Sequence, residues 1–204
     1  MTVITPVVSI GQPTISVAAF TDILVQANSP AALSAEQCYK AIADQGVDPA
    51  FALAIFAHES QFGKEGVASR THNWGNLRAG AYDDYTRDGW AWYEGGDAWI
   101  RSAKDCARQL VRYSQNLTPG LKYCGHLDHL TPENIFWHWA PTGDGDNKPN
   151  AYAVAVRALV NNWRERYAEL PPDPWEALAT WQTMIEERLD DIEKVLRLLE
   201  DKHG

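Results

Sequence analysis

Glu59 has the clearest capacity for chemistry in this chain. It lies in Ala57-His58-Glu59-Ser60-Gln61-Phe62-Gly63. Phe51, Ala52, Ile55, Phe56 and Phe62 recur at helical spacing, and Gly63 is a helix stop. A carboxyl there meets the negative end of the helix, with Phe56 and Phe62 flanking it. That setting favours the protonated form, which a general acid needs to hand a proton to a leaving oxygen near neutral pH. Taken alone, the segment more commonly describes a solvated glutamate at a helix end.

The next residues are rich in Gly, Asn, Asp and aromatics and lack helical periodicity. Trp74, Trp90, Trp92 and Tyr93 cluster there with Asn73, Asn76, Arg78, Asp83 and Asp84. Aromatic faces stack on sugar rings, and they also fill cores. Asn73 and Asn76 either reach a ligand or bond the backbone of their own loop. Glycoside hydrolysis normally adds a second carboxylate as nucleophile or base. Asp83, Asp84, Asp88 and Glu94 compete for that role; Asp84 and Asp83 rank first, and each also reads as a solvated turn residue. The substrate's own acetamido group would remove the need for it. His58 and His72 flank the site without metal-ligand spacing, so they read as positioning or packing residues. Asp144, Asp146 and Asn147 form a calcium-loop fragment without the rest of an EF-hand. No metal or cofactor is expected.

The order of these motifs resembles the glucosaminidase-type branch of the lysozyme superfamily, the endo-β-N-acetylglucosaminidases acting on peptidoglycan. The family's helix end, ALA followed by ES-x-aromatic-Gly, is matched by Ala52-Leu53-Ala54 and Glu59-Ser60-Gln61-Phe62-Gly63. Its HN-x-(F/G)-G-(I/N) loop has its counterpart in His72-Asn73-Trp74-Gly75-Asn76-Leu77-Arg78. An aromatic-x-x-Tyr step follows in Trp90 and Tyr93. The closing motif is answered by Trp139-Ala140-Pro141, Asp144, Asn147 and Tyr152. The resemblance spans about residues 15–167. It implies a mainly α protein with a lysozyme-like helical lobe and a small β-hairpin lobe across a cleft. It also implies Glu59 as catalytic acid, Tyr93 and Tyr152 as cleft residues, and cell-wall glycan as substrate. Asn73, Trp74, Asn76, Arg78, Trp90 and Trp92 join them as expected substrate contacts.

Several elements must position these residues. Apolar helical spacing begins near Val17 and stops at Asn28-Ser29-Pro30. A second helix is predicted from Ser34 to about Gln45, with Ser34 and Gln37 as a capping box. Asp48 caps the helix carrying Glu59, and Pro49 takes its first position. Trp90 to Tyr93 suits one strand of a short hairpin. Further helices are predicted from about Asp97 to Ser114, from an opening at Thr131-Pro132-Glu133 through Trp139, and from Ala151 to Tyr167. Residues 1–16 read as an N-terminal extension and 17–169 as the catalytic domain. Residues 170–174, with Pro171, Pro172 and Pro174, cannot continue a helix and form a linker. In 175–204, Leu178, Trp181, Ile185, Leu189, Ile192, Leu196 and Leu199 make one apolar stripe. This predicts a coiled-coil-like amphipathic helix, suited to homo-oligomer formation through residues 175–202.

Composition bounds the partners. With 45% hydrophobic and 22% charged residues the chain reads as globular. A net charge of −9 argues against a nucleic-acid partner. No apolar run is long enough to insert in a membrane. Cys38, Cys106 and Cys124 are widely spaced and odd in number, so burial is the expected role rather than a disulfide framework. The N-terminus lacks signal-peptide features. The expected site of action is the bacterial cell wall, reached as a phage lysin or as a chain whose leader is absent from this sequence. A lytic transglycosylase or muramidase of the same superfamily is the near alternative. A non-catalytic glycan-binding or virion structural module is the alternative of another class.

Overall fold

The structure, a computed structural model, describes residue 7 and residues 9–78, 86–114, 131–140 and 148–168, apart from the Trp137 side chain. It is mainly helical with one small two-stranded antiparallel sheet, as the sequence predicts. The helices are α1 (Val17–Gln26), α2 (Ala35–Ala43), α3 (Pro49–Ser60), α4 (Ala68–Thr71), α5 (Ala98–Ser114), α6 (Pro132–Trp139) and α7 (Pro149–Arg166). The strands are β1 (Thr86–Arg87) and β2 (Trp90–Ala91), paired Thr86 to Ala91 and Arg87 to Trp90. Asp83, Asp84, Cys124, Pro141, Asp144, Asp146, Asn147, the linker and the C-terminal helix lie outside the described residues.

Helix α3 is the axis of the domain. Every residue from Pro49 to Phe56 is buried, so this helix is apolar on all sides rather than amphipathic. It surfaces only in its last turn, where Ala57 and Glu59 are half-buried and His58 is exposed. Helices α1, α2, α5 and α7 pack against it. Phe56 stacks on Trp74 at 3.9 Å between ring centroids and meets Trp99 at 5.5 Å. Cys38 and Cys106 are buried free thiols, and burial pushes Cys38 up to about 12.

The start of α3 follows its local chemistry. Asp48 Oδ1 accepts the Ala50 N–H at 3.1 Å, and Pro49 needs no acceptor. The same carboxylate accepts the Thr14 N–H and hydroxyl and an Arg164 N–H at 3.3 Å. It therefore ties residue 14 and the end of α7 to the start of α3. Burial pushes the Asp48 carboxyl up from the usual range, opposed by the Thr14 and Ala50 hydrogen bonds and the Arg164 charge.

Three local expectations change. Ser34 makes no capping hydrogen bond, because a 3-10 turn over Ala32–Ser34 runs directly into α2 and holds Ser34 out of the extended cap conformation. Residues 64–95 contain α4, a single turn too short to show a period. The described part of 1–16 is built into the domain: Val7 and Ile15 are buried, Ile10 bridges Val47, and the Asp48 N–H donates to Ser9 O. Its apolar residues follow neither a helical nor a strand period, which hid their burial.

The end of α3 is a left-handed run. Gln61, Phe62 and Gly63 have φ of 47°, 60° and 84°. A Cβ on Gly63 would lie 2.6 Å from the Trp99 ring and 2.8 Å from the Phe56 ring. Gly63→Ala should therefore cost about 2 kcal/mol or more, from backbone strain and overpacking together. Urea unfolding checks this, and an unchanged midpoint would refute it. Asp48→Ala should cost about 3 kcal/mol or more, because it removes the carboxylate that accepts from Arg164, the buried Ala50 N–H and the half-buried Thr14 N–H. A loss below about 1 kcal/mol in the same experiment would show that the carboxylate does not hold these elements.

Candidate functional site

The Glu59 carboxylate is the meeting point of three separate elements. Asn76 Nδ2, in the loop after α4, donates to Oε2 at 2.7 Å. Trp139 Nε1, the last residue of α6, donates to Oε1 at 3.0 Å. The Tyr152 hydroxyl, in the first turn of α7, donates to Oε1 at 2.6 Å. These are charge-assisted hydrogen bonds in a half-buried setting, each typically contributing about 1.5–3 kcal/mol. The sequence suggested an apolar surround from Phe56 and Phe62. Phe56 instead sits in the core against Trp74, and the groups on the carboxylate are the Asn76 amide and the polar tips of Trp139 and Tyr152.

Each partner is held in its turn. Asn76 adopts a left-handed φ of 51°, and its Nδ2 also reaches Glu59 O at 3.3 Å. It thus caps an orphan carbonyl at the end of α3 while holding the carboxylate. The Tyr152 ring lies between two others: His58 at 4.0 Å between centroids and Phe136 at 4.1 Å. His58 is therefore a packing residue at the mouth of the site. Burial first, then the adjacent Glu59 charge, pushes the Tyr152 phenol well above its usual range, so it remains a donor. Trp139 meets Tyr113 edge-on at 6.1 Å.

The expected substrate contacts divide into three groups. Asn76 and Tyr152 are brought to Glu59. Asn73, Trp74 and Tyr93 are wholly buried and serve the interior instead. Asn73 Nδ2 donates to Leu77 O and Ala91 O, and its Oδ1 accepts the Leu77 N–H, so it clamps the loop onto β2. Trp74 donates its indole N–H to Ala52 O, and its ring fills the core beside Phe56. The Tyr93 hydroxyl donates to Asp105, and its carbonyl bonds His72 Nδ1 at 2.8 Å. For Tyr93 the physical reason is an inside–outside alternation that begins in β2 and continues past its end. Ala91 and Tyr93 face inward, which leaves Trp90 and Trp92 half-exposed on the opposite face.

That outer face forms the third group. The Arg78 guanidinium lies 4.1 Å from the Trp90 ring centroid, and Arg87 lies 4.9 Å from that of Trp92. Arg78 bridges Trp90 as an isolated β-pair, two residues after Asn76. Among the described residues, no cluster of His, Cys, Asp and Glu could hold a metal. Trp139 is a site residue that the sequence-based contacts do not include, although it begins the closing Trp139-Ala140-Pro141 motif. The presence of that motif beside the Tyr152 match was the available signal.

Compared with known proteins, the chain matches no family model, no curated protein and no solved structure.

The buried phenol gives a direct test of the site. Subtracting the ultraviolet titration of Tyr152→Phe from that of the native protein should leave no tyrosinate signal around pH 10, where a free tyrosine ionises. A full step there would show Tyr152 solvated and away from Glu59.

Proposed function

We propose that this protein is a lysozyme-like glycosidase of the N-acetylglucosaminidase type that cleaves the β-1,4 glycan backbone of peptidoglycan, with Glu59 as its proton donor. The observation that carries the reading is the carboxylate held by Asn76, Trp139 and Tyr152 at the surfacing end of a buried helix. A merely solvated glutamate would not gather donors from three elements. The ordered motifs from Ala52 to Tyr152 support the same reading and supply the substrate class. Action at the bacterial cell wall as a phage lysin accords with it.

The hydrogen bonds divide the labour between the two oxygens. Oε1 has both lone pairs engaged, by Trp139 and Tyr152. Among the described residues, Oε2 accepts only from Asn76 and keeps a lone pair for the acid proton. In the proposed reaction that proton passes to the glycosidic oxygen as the bond to the anomeric carbon breaks. A water then supplies oxygen to the anomeric carbon, and its proton returns to the site. Asp83 and Asp84 are the candidate groups for that second half-reaction. The substrate's 2-acetamido oxygen offers an internal alternative.

Glu59→Gln should lower clearing of purified cell walls by about a hundredfold or more while leaving the fold intact. Equal clearing by both proteins would remove Glu59 from the chemistry. Equal inertness with retained glycan binding would make the chain a binding module. Mass spectrometry of the fragments separates the chemistries. Reducing-end N-acetylglucosamine supports this proposal, reducing-end N-acetylmuramic acid a muramidase, and a 1,6-anhydro end a lytic transglycosylase.

A further inference from the structure

Gly75 directly precedes Asn76 in the loop after α4. A Cβ built on it would lie 2.7 Å from both Cη2 and Cζ2 of Trp139, and 3.1 Å from Cys106 Sγ. The first two distances are shorter than real Cβ contacts, so something must shift. On the Cys106 side the thiol is wholly buried in the core. The yielding group is the Trp139 indole. This ring is rigid: Cζ2 lies one bond from the carbon bearing Nε1, so a displaced ring carries its N–H with it. That N–H is the donor to Glu59 Oε1.

We infer that Gly75 is a positioning residue: its missing side chain is what lets the Trp139 indole seat against the loop with its N–H on Glu59. The same loop thereby sets both oxygens. Asn76 holds Oε2 directly, and Gly75 admits the group that holds Oε1. This inference rests on the proposed role of Glu59 only for its effect on turnover. The geometric part stands without it.

The test is a double-mutant cycle with Gly75→Ala and Trp139→Phe. Phenylalanine lacks the outer ring atoms that the new methyl would strike. In protein labelled with ¹⁵N-tryptophan, Trp139→Phe identifies the Trp139 indole N–H resonance. Gly75→Ala should shift that resonance upfield, as the hydrogen bond to Glu59 is lost, and an unmoved resonance overturns the inference. On soluble glycan fragments, Gly75→Ala should lower kcat about tenfold to a hundredfold with little change in KM. The double variant should be no slower than Trp139→Phe alone. Multiplied losses would show that Gly75 acts independently of Trp139 and would overturn the inference. If Gly75→Ala does not fold, recovery of folding in the Trp139→Phe background supports the inference, and failure in both backgrounds refutes it. Should Glu59→Gln prove fully active, the functional proposal falls while the resonance shift still reports on Gly75.

Discussion

A carboxylate brought out at the C-terminal end of a helix faces the end where backbone carbonyls already concentrate negative charge. Where it is half-buried, donors from elsewhere that converge on it offset that repulsion. Glu59 meets this constraint with three donors, none of them from its own helix. Much of the surrounding architecture follows. The loop after α4 must return to α3, α6 must end beside it, and α7 must begin there. The packing of α6 on α7, and of α7 on α3, places Trp139 and Tyr152 within reach of one oxygen.

The central helix makes this arrangement rigid. Residues Pro49 to Phe56 are buried on every side, so α3 cannot rotate without disrupting the whole core. Asp48 anchors its first turn to residue 14 and to α7. The left-handed run Gln61–Gly63 ends it abruptly, with Ser29 Oγ donating to Phe62 O. Glu59 thus sits between two fixed points. Two of its donors, Trp139 and Tyr152, are amphipathic side chains whose rings pack on other aromatics and whose polar tips meet the carboxylate. They hold the carboxylate while keeping much of its surround apolar.

The small sheet has two separate duties. On the inner side, Ala91 and Tyr93, two residues beyond it, close a second apolar cluster with Leu77 and Ala98. Its outer face carries Trp90 and Trp92 under Arg78 and Arg87. Asn73 fixes the loop to β2, which keeps Asn76 and Arg78 in a set relation to the strand. Four aromatic residues that read as one cluster in the chain are thereby divided between the interior and the surface.

The sequence by itself determined what is decided locally. Asp48 before Pro49 marked the start of α3, and the apolar run through Phe56 carried Glu59 to its last turn. Capping, proline geometry and helical period depend on a few adjacent residues, so they are readable from the chain. The mainly helical class and the short hairpin were legible for the same reason. Only the tertiary structure decided which neighbours serve Glu59. Its donors lie 17, 80 and 93 residues away, and no local pattern encodes those encounters. Tyr93 and Tyr152 are the same residue type in equally suggestive motifs. One was turned into the core by the alternation that continues past β2, the other onto the carboxylate by helix packing.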